Sequence, residues 1–157
     1  MKKQSILFCL AVLTCAACKQ DDPAADPASI LQGNYTAFTY RGNSTPLPYP
    51  INGKTFTLQI KRITKDTVQV DIQATPNDGF SPGENRSYPK AYIVSVPNGQ
   101  GKYTFNVYLT PRPSSNLGSL KDAFQFYNSD NSQADYYYVP VGGNPAIEVA
   151  TRIKRTQ

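Results

Sequence analysis

Apolar and polar residues alternate with a period of two along most of the chain beyond residue 30. In Phe56-Thr57-Leu58-Gln59-Ile60 every second position is apolar, and Val68-Gln69-Val70-Asp71-Ile72 repeats the pattern. Tyr103-Thr104-Phe105-Asn106-Val107-Tyr108-Leu109 does so over a longer run, with Phe124-Gln125-Phe126 and Ile147-Glu148-Val149 as shorter cases. Successive side chains on a strand point to opposite faces, so this period predicts half-buried β-strands. Residues 34–41, 88–96 and 136–141 are also rich in β-branched or aromatic residues, with a less clear parity. That makes about eight strands.

The segments between them carry turn chemistry, in Thr64-Lys65-Asp66, Pro76-Asn77-Asp78-Gly79, Pro97-Asn98-Gly99-Gln100-Gly101 and Gly142-Gly143-Asn144-Pro145. No sustained helical period follows residue 30, and residues 111–120 form the one long loop between late strands. Short connections predict an all-β antiparallel up-and-down meander. Its closure into a barrel would remove the edges an open sheet must protect. One polar and one apolar face per strand also fits a β-sandwich; the short hairpins favour the barrel.

The N-terminus breaks this pattern. Lys2-Lys3, an apolar run from Ile6 to Leu13 and the small pair Ala16-Ala17 make a tripartite secretory signal. The run is shorter than the roughly 20 apolar residues needed to span a bilayer. Because Ala16-Ala17 leads into Cys18, the segment resembles the lipobox of bacterial lipoproteins, with Cys15 where an aliphatic residue is usual. The resemblance implies that residues 1–17 are removed and that Cys18 carries the lipid anchor. Lys19-Gln20-Asp21-Asp22 is similar to the acidic sequence that sends lipoproteins of the Bacteroidota type to the cell surface. The expected location is the cell envelope, as an outer-membrane lipoprotein. Residues 18–29, polar and with Pro23 and Pro27, read as a flexible tether. Residues 30–157 read as a single domain, within the usual size range.

Cysteine usage agrees, since Cys9, Cys15 and Cys18 all lie in or beside the signal. The mature chain would keep no disulfide and depend on its core. Formal charge is +5, falling to +3 without Lys2 and Lys3. The basic residues are scattered, whereas a nucleic-acid footprint needs a clustered stripe.

Catalytic chemistry is sparse. The chain has no histidine, which removes the usual general base and most zinc sites. Without a mature thiol, cysteine nucleophiles go too. Asp71 and Glu148 alternate with apolar neighbours and should face solvent; Asp78 and Glu84 share a Gly/Pro-rich loop. No phosphate loop appears, so neither an enzyme nor a cofactor is expected. Asn128-Ser129-Asp130-Asn131-Ser132, with Asp135, offers oxygen ligands on alternate residues, but lacks the glycine and distal glutamate of a calcium loop. A polar hairpin tip explains it more simply. Asp66-Thr67-Val68 resembles an envelope O-glycosylation signal and also reads as a hairpin exit.

Tyrosine is enriched, with eleven in all and three in a row at Tyr136-Tyr137-Tyr138. At least one of the three should reach the outer face, where its apolar ring and polar tip suit glycan or protein contact. All three are candidate surface-contact residues, against the plainer reading of strand-filling aromatics.

Leu31-Gln32-Gly33-Asn34-Tyr35 is similar to the Gly-x-Trp opening of lipocalin-like barrels, with Tyr35 in place of tryptophan. Those families also place an arginine late in the last strand, and Arg152 in Ala150-Thr151-Arg152-Ile153 is similarly placed, though out of phase with Val149 and Ile153. The resemblance implies a cup-shaped barrel holding a small apolar or amphipathic ligand, with Tyr35 and Arg152 as a structural, barrel-closing pair. The alternative expectation is an interaction module with a solid interior, binding protein or glycan through its outer face and loops.

Overall fold

The computed structural model describes residues 26–42, 45–75, 85–98, 102–109, 122–127, 130–139 and 149–156. The signal segment, Cys18, the loop at 111–120, and Asp78, Glu84, Ile147 and Glu148 lie outside the described residues. Within them run a short helix α1 (Pro27–Leu31) and strands β1 (Gly33–Tyr40), β2 (Leu47–Pro48), β3 (Phe56–Thr64), β4 (Thr67–Ala74) and β5 (Arg86–Pro97). β6 (Tyr103–Tyr108), β7 (Ala123–Phe126), β8 (Gln133–Tyr138) and β9 (Val149–Arg155) follow.

Every neighbouring pair is antiparallel, in the order β1-β3-β4-β5-β6-β7-β8-β9, and β9 returns to pair with β1. Eight strands therefore close into an up-and-down β-barrel. The two-residue β2 is an appendage. β1 pairs with β3 through Gly33 to Thr36, and the same edge then pairs with β2 at Thr39 and Tyr40. β2 thus takes up backbone groups that β3 no longer reaches, as buried N–H and C=O groups require.

Side-chain parity explains the ring. On β3, Phe56, Leu58 and Ile60 are buried while Thr57, Gln59 and Lys61 are not. On β4, Val68, Val70 and Ile72 face the same interior, with Leu58 opposite Ile72 and Ile60 opposite Val70. Three bulges interrupt the alternation. Arg62 and Thr64 sit opposite the adjacent residues Val68 and Thr67, leaving Ile63 extra on β3. Ala37 and Thr39 sit opposite the adjacent residues Ile153 and Arg152, leaving Phe38 extra on β1. Val68 and Val70 face Ala91 and Tyr88, which leaves an extra residue on β5 at Pro89-Lys90. Pro89 has no N–H to give a ladder, so a bulge is where a strand tolerates it.

One boundary needs correcting. Residues 26–29 belong to the folded body, not to a flexible tether. The Asp26 carboxylate caps α1 by accepting the Ser29 N–H at 3.1 Å, and Pro27 stands at the first turn, where its missing N–H costs nothing. Ala28 and Leu31 are fully buried, and the Ala28 N–H donates to the Lys65 carbonyl at 3.0 Å. The helix lies against the end of the barrel where the β3–β4 hairpin turns.

Candidate functional site

The end of the barrel beneath α1 is closed by Tyr35 and an arginine, but the arginine is Arg155. Tyr35 is fully buried; its hydroxyl donates to the Leu31 carbonyl at 2.7 Å and accepts from Arg155 Nη2 at 2.8 Å. The Arg155 guanidinium lies 5.4 Å from the centre of the Tyr35 ring and also donates to the Ile30 carbonyl. Arg155 shares the inward parity of Val149, Thr151 and Ile153, whereas Arg152 is on the outer face. The expected pairing of Tyr35 with Arg152 is therefore corrected by a shift of three residues. Burial raises the Tyr35 phenol pKa, and Arg155 partly opposes it. Gly33 holds a φ of +150°, a backbone conformation that residues with a Cβ rarely adopt, and the Arg155 guanidinium packs beside it.

The tyrosine triplet is corrected as well. Tyr136 and Tyr138 are fully buried on the inner face of β8, and only Tyr137 turns outward, half-buried with its hydroxyl 3.5 Å from Gln125 Oε1. Inside, Phe124 stacks on Tyr136 at 4.4 Å and Tyr136 on Tyr138 at 4.8 Å. Phe56 meets both tyrosines edge-on at 6.0 and 6.4 Å, and Tyr35 meets Phe126 edge-on at 5.7 Å. A side chain lining a water-sized void would keep accessible area. Phe105, Phe124, Phe126, Tyr136 and Tyr138 keep none. This stretch of the interior is filled by side chains.

The two stacked tyrosines differ in one atom's surroundings. The Tyr138 hydroxyl is 3.1 Å from Thr151 Oγ1, while the Tyr136 hydroxyl is buried with no hydrogen-bond partner among the described residues. Burial raises the pKa of both phenols, so both stay protonated. Replacing Tyr136 by phenylalanine should raise stability by about 1 kcal/mol, and the same change at Tyr138 should lower it by about 1 kcal/mol. Urea midpoints of the two variants check the opposite signs.

The outer face across β7, β8, β9 and β1 carries a cluster of charged and aromatic side chains. Asp135, 6% exposed, faces outward on β8. Its two oxygens accept from Arg41 Nη1 at 3.0 Å and Arg152 Nε at 3.2 Å. Both arginine side chains remain well exposed, at 43% and 38%. The Arg152 guanidinium lies 5.5 Å from the Tyr127 ring centre, and Lys154 Nζ lies 5.8 Å from that of Phe38. Tyr127 is itself exposed. Two guanidiniums thus share one carboxylate, and Lys154 follows Arg152 on the same outer face of β9, beside aromatic rings. Each guanidinium has five N–H donors, of which the bond to Asp135 takes one. Asp135 fixes the orientation of two forks able to grip a carboxylate or phosphate from outside.

A second polar cluster lies on the opposite flank. The Asp71 carboxylate accepts from Gln69, Ser87 and Lys61, which hold its pKa at about 2 against the ordinary 3.8. It borders an open concavity of about 500 Å³ with Asn34, Gln59 and Lys61. A carboxyl with a depressed folded pKa contributes stability that is complete above the ordinary value and lost as pH falls through the folded one. Between pH 3.8 and about 2 the wild-type chain should therefore lose stability more steeply than Asp71→Asn, as urea midpoints across that window check.

Among the described residues no three His, Cys, Asp or Glu side chains are grouped to hold a metal ion. Asp130 accepts the N–H and hydroxyl of Ser132, and Asp135 is engaged by its two arginines, so these carboxylates do not converge; Asn128 and Ser129 lie outside the described residues. Sequence reasoning missed Arg155, Arg41 and Tyr127. Counting by twos from Ile153 finds the first, while the other two need the strand order. No family model, no curated protein and no solved structure matches the chain.

Proposed function

We propose that this chain is a lipid-anchored, non-enzymatic protein of the bacterial cell envelope, in which a solid β-barrel presents its outer face to an acidic glycan. The anchor reading rests on the small pair Ala16-Ala17 ahead of Cys18. The observation that carries the binding reading is the pair Arg41 and Arg152 on Asp135, with Lys154 further along the same face of β9 and Tyr127 and Phe38 beside them, on a barrel whose described interior is occupied by rings. That occupancy favours the exterior over a small apolar ligand held inside. Guanidinium forks suit uronate or phosphate groups, and an exposed ring offers a stacking surface to a sugar. The strip lacks the apolar centre of a protein–protein interface, which favours a glycan.

The test is calorimetric titration of the full chain in detergent with a uronic-acid polysaccharide, alongside the same polymer reduced to its neutral form. The acidic polymer should bind and the neutral one should not. Arg152→Ala should weaken binding about tenfold, or about 1.4 kcal/mol, with the thermal midpoint nearly unchanged. Equal binding by wild type and variant would sink the reading. A discrete lipid mass retained in native mass spectrometry would return the function to the barrel interior.

A further inference from the structure

The β3–β4 hairpin tip combines features that the outer strip does not use. Ile63 is 47% exposed and Tyr92, beside it on β5, is 37% exposed. With Thr67, Pro89, Lys90 and Ile93 they border a surface concavity of about 590 Å³. Lys90 Nζ lies 5.4 Å from the centre of the Tyr92 ring, and Lys65 is exposed at the hairpin turn. Asp26 is paired with Arg62 at 3.0 Å, and Asp66, which also borders the concavity, accepts from the hydroxyls of Thr64 and Thr67 and keeps its charge, so Lys65 and Lys90 leave an excess of one positive charge. An exposed aliphatic, a half-exposed tyrosine and two lysines make an amphipathic tip with a net positive rim.

The position of this tip gives it an occupant. α1 lies against the hairpin through the Ala28–Lys65 backbone bond and the Asp26–Arg62 pair. The chain therefore joins the folded body at this corner. Only seven residues lie between Cys18 and Asp26, a reach of at most about 29 Å over the eight steps when fully extended. A lipid on Cys18 holds this corner of the barrel close to the bilayer.

We propose that the β3–β4 tip docks on the lipid surface that receives the anchor, resting on the anchor reading given above. Ile63 and Tyr92 enter the headgroup layer, where aromatic and aliphatic side chains partition. Lys65 and Lys90 lay their stems along that apolar surface and meet anionic headgroups.

The experiment uses the full acylated chain in phosphatidylethanolamine vesicles containing phosphatidylglycerol. Once Cys18 is acylated and the signal removed, Ile63→Cys supplies the sole free thiol, and Gln73→Cys supplies a control near the far end of β4. Each is labelled with a small fluorophore and quenched by headgroup-spin-labelled lipid. Strong quenching at position 63 with little at 73 is expected, and Lys65→Gln or Lys90→Gln should each reduce the docked fraction's equilibrium constant about fivefold. Equal or absent quenching at both positions, in protein that carries acyl mass and floats with the vesicles, overturns the docking. Protein without acyl mass that fails to float overturns the anchor reading and the docking with it.

Discussion

Replacing Arg155 by methionine should lower the stability of the barrel by about 3 kcal/mol, while the same change at Arg152 should cost less than about 1 kcal/mol. The arginines are three residues apart on one strand but face opposite ways. Arg155 donates two hydrogen bonds to the buried Tyr35 hydroxyl and another to the Ile30 carbonyl, and covers the Tyr35 ring. Charge-assisted bonds among partly buried partners are worth roughly 1.5–3 kcal/mol each, and their loss leaves acceptors without a donor. Methionine keeps most of the apolar volume, so the loss isolates the polar closure from packing. Arg152 is exposed, and Asp135 keeps Arg41 when it goes. Lysine at 155 should recover only part of the loss, because a point charge cannot replace a planar fork reaching two acceptors. Urea unfolding of the four proteins, compared at midpoint with equal slopes, decides it. Equal midpoints for the two methionine variants would refute the assignment of the closing role to Arg155.

Phe56→Ala should cost more, about 4 kcal/mol. The Phe56 ring is 1% exposed and stands edge-on to Tyr49, Tyr136 and Tyr138 at 5.8, 6.0 and 6.4 Å. Tyr136 is also held against Phe124 and Tyr138 by stacking, so these rings cannot collapse into the space without giving up those contacts. The expected outcome is a void that persists, together with a fall in thermal midpoint. If the interior were instead a roomy cup, the loss would fall toward the transfer cost of the ring alone, about 2 kcal/mol. The size of the loss therefore also tests how fully the barrel is packed.

The sequence made some elements plain and hid others for specific reasons. β4 and β6 alternate along their length and β3 does so as far as Lys61, before its bulge at Ile63, so a period-two count finds them. β1 and β5 blur because each contains a bulge, at Phe38 and at Pro89-Lys90, which shifts parity midway along the strand. β8 blurs differently: Tyr137 faces outward between two inward tyrosines, and three identical residues carry no facing signal. α1 is only five residues long, too short to show a helical period, although Asp26-Pro27 is a sound start signal. The outer strip could not be read at all. Arg41 and Asp135 are 94 residues apart, and nothing local to either hints that β9 lies between β8 and β1. Arg152 stood in view, but its resemblance to a closing arginine outweighed the parity that put it outside.

Ring closure also sets a timetable for the newly made chain. The contact that completes the barrel joins Tyr35 to Arg155, 120 residues later. As the chain leaves the ribosome, strands β1 to β8 exist before the one that can close them. Until β9 arrives, the meander has two unpaired edges and a seam of aromatic rings without its final wall. Local hairpins can form early, but the stabilising step must wait for Val149–Arg155 and bears the entropy of joining distant strands. Chains stopped short of Val149 should therefore behave as unfolded or sticky polypeptides, so the decision to fold falls after synthesis of the strand is complete.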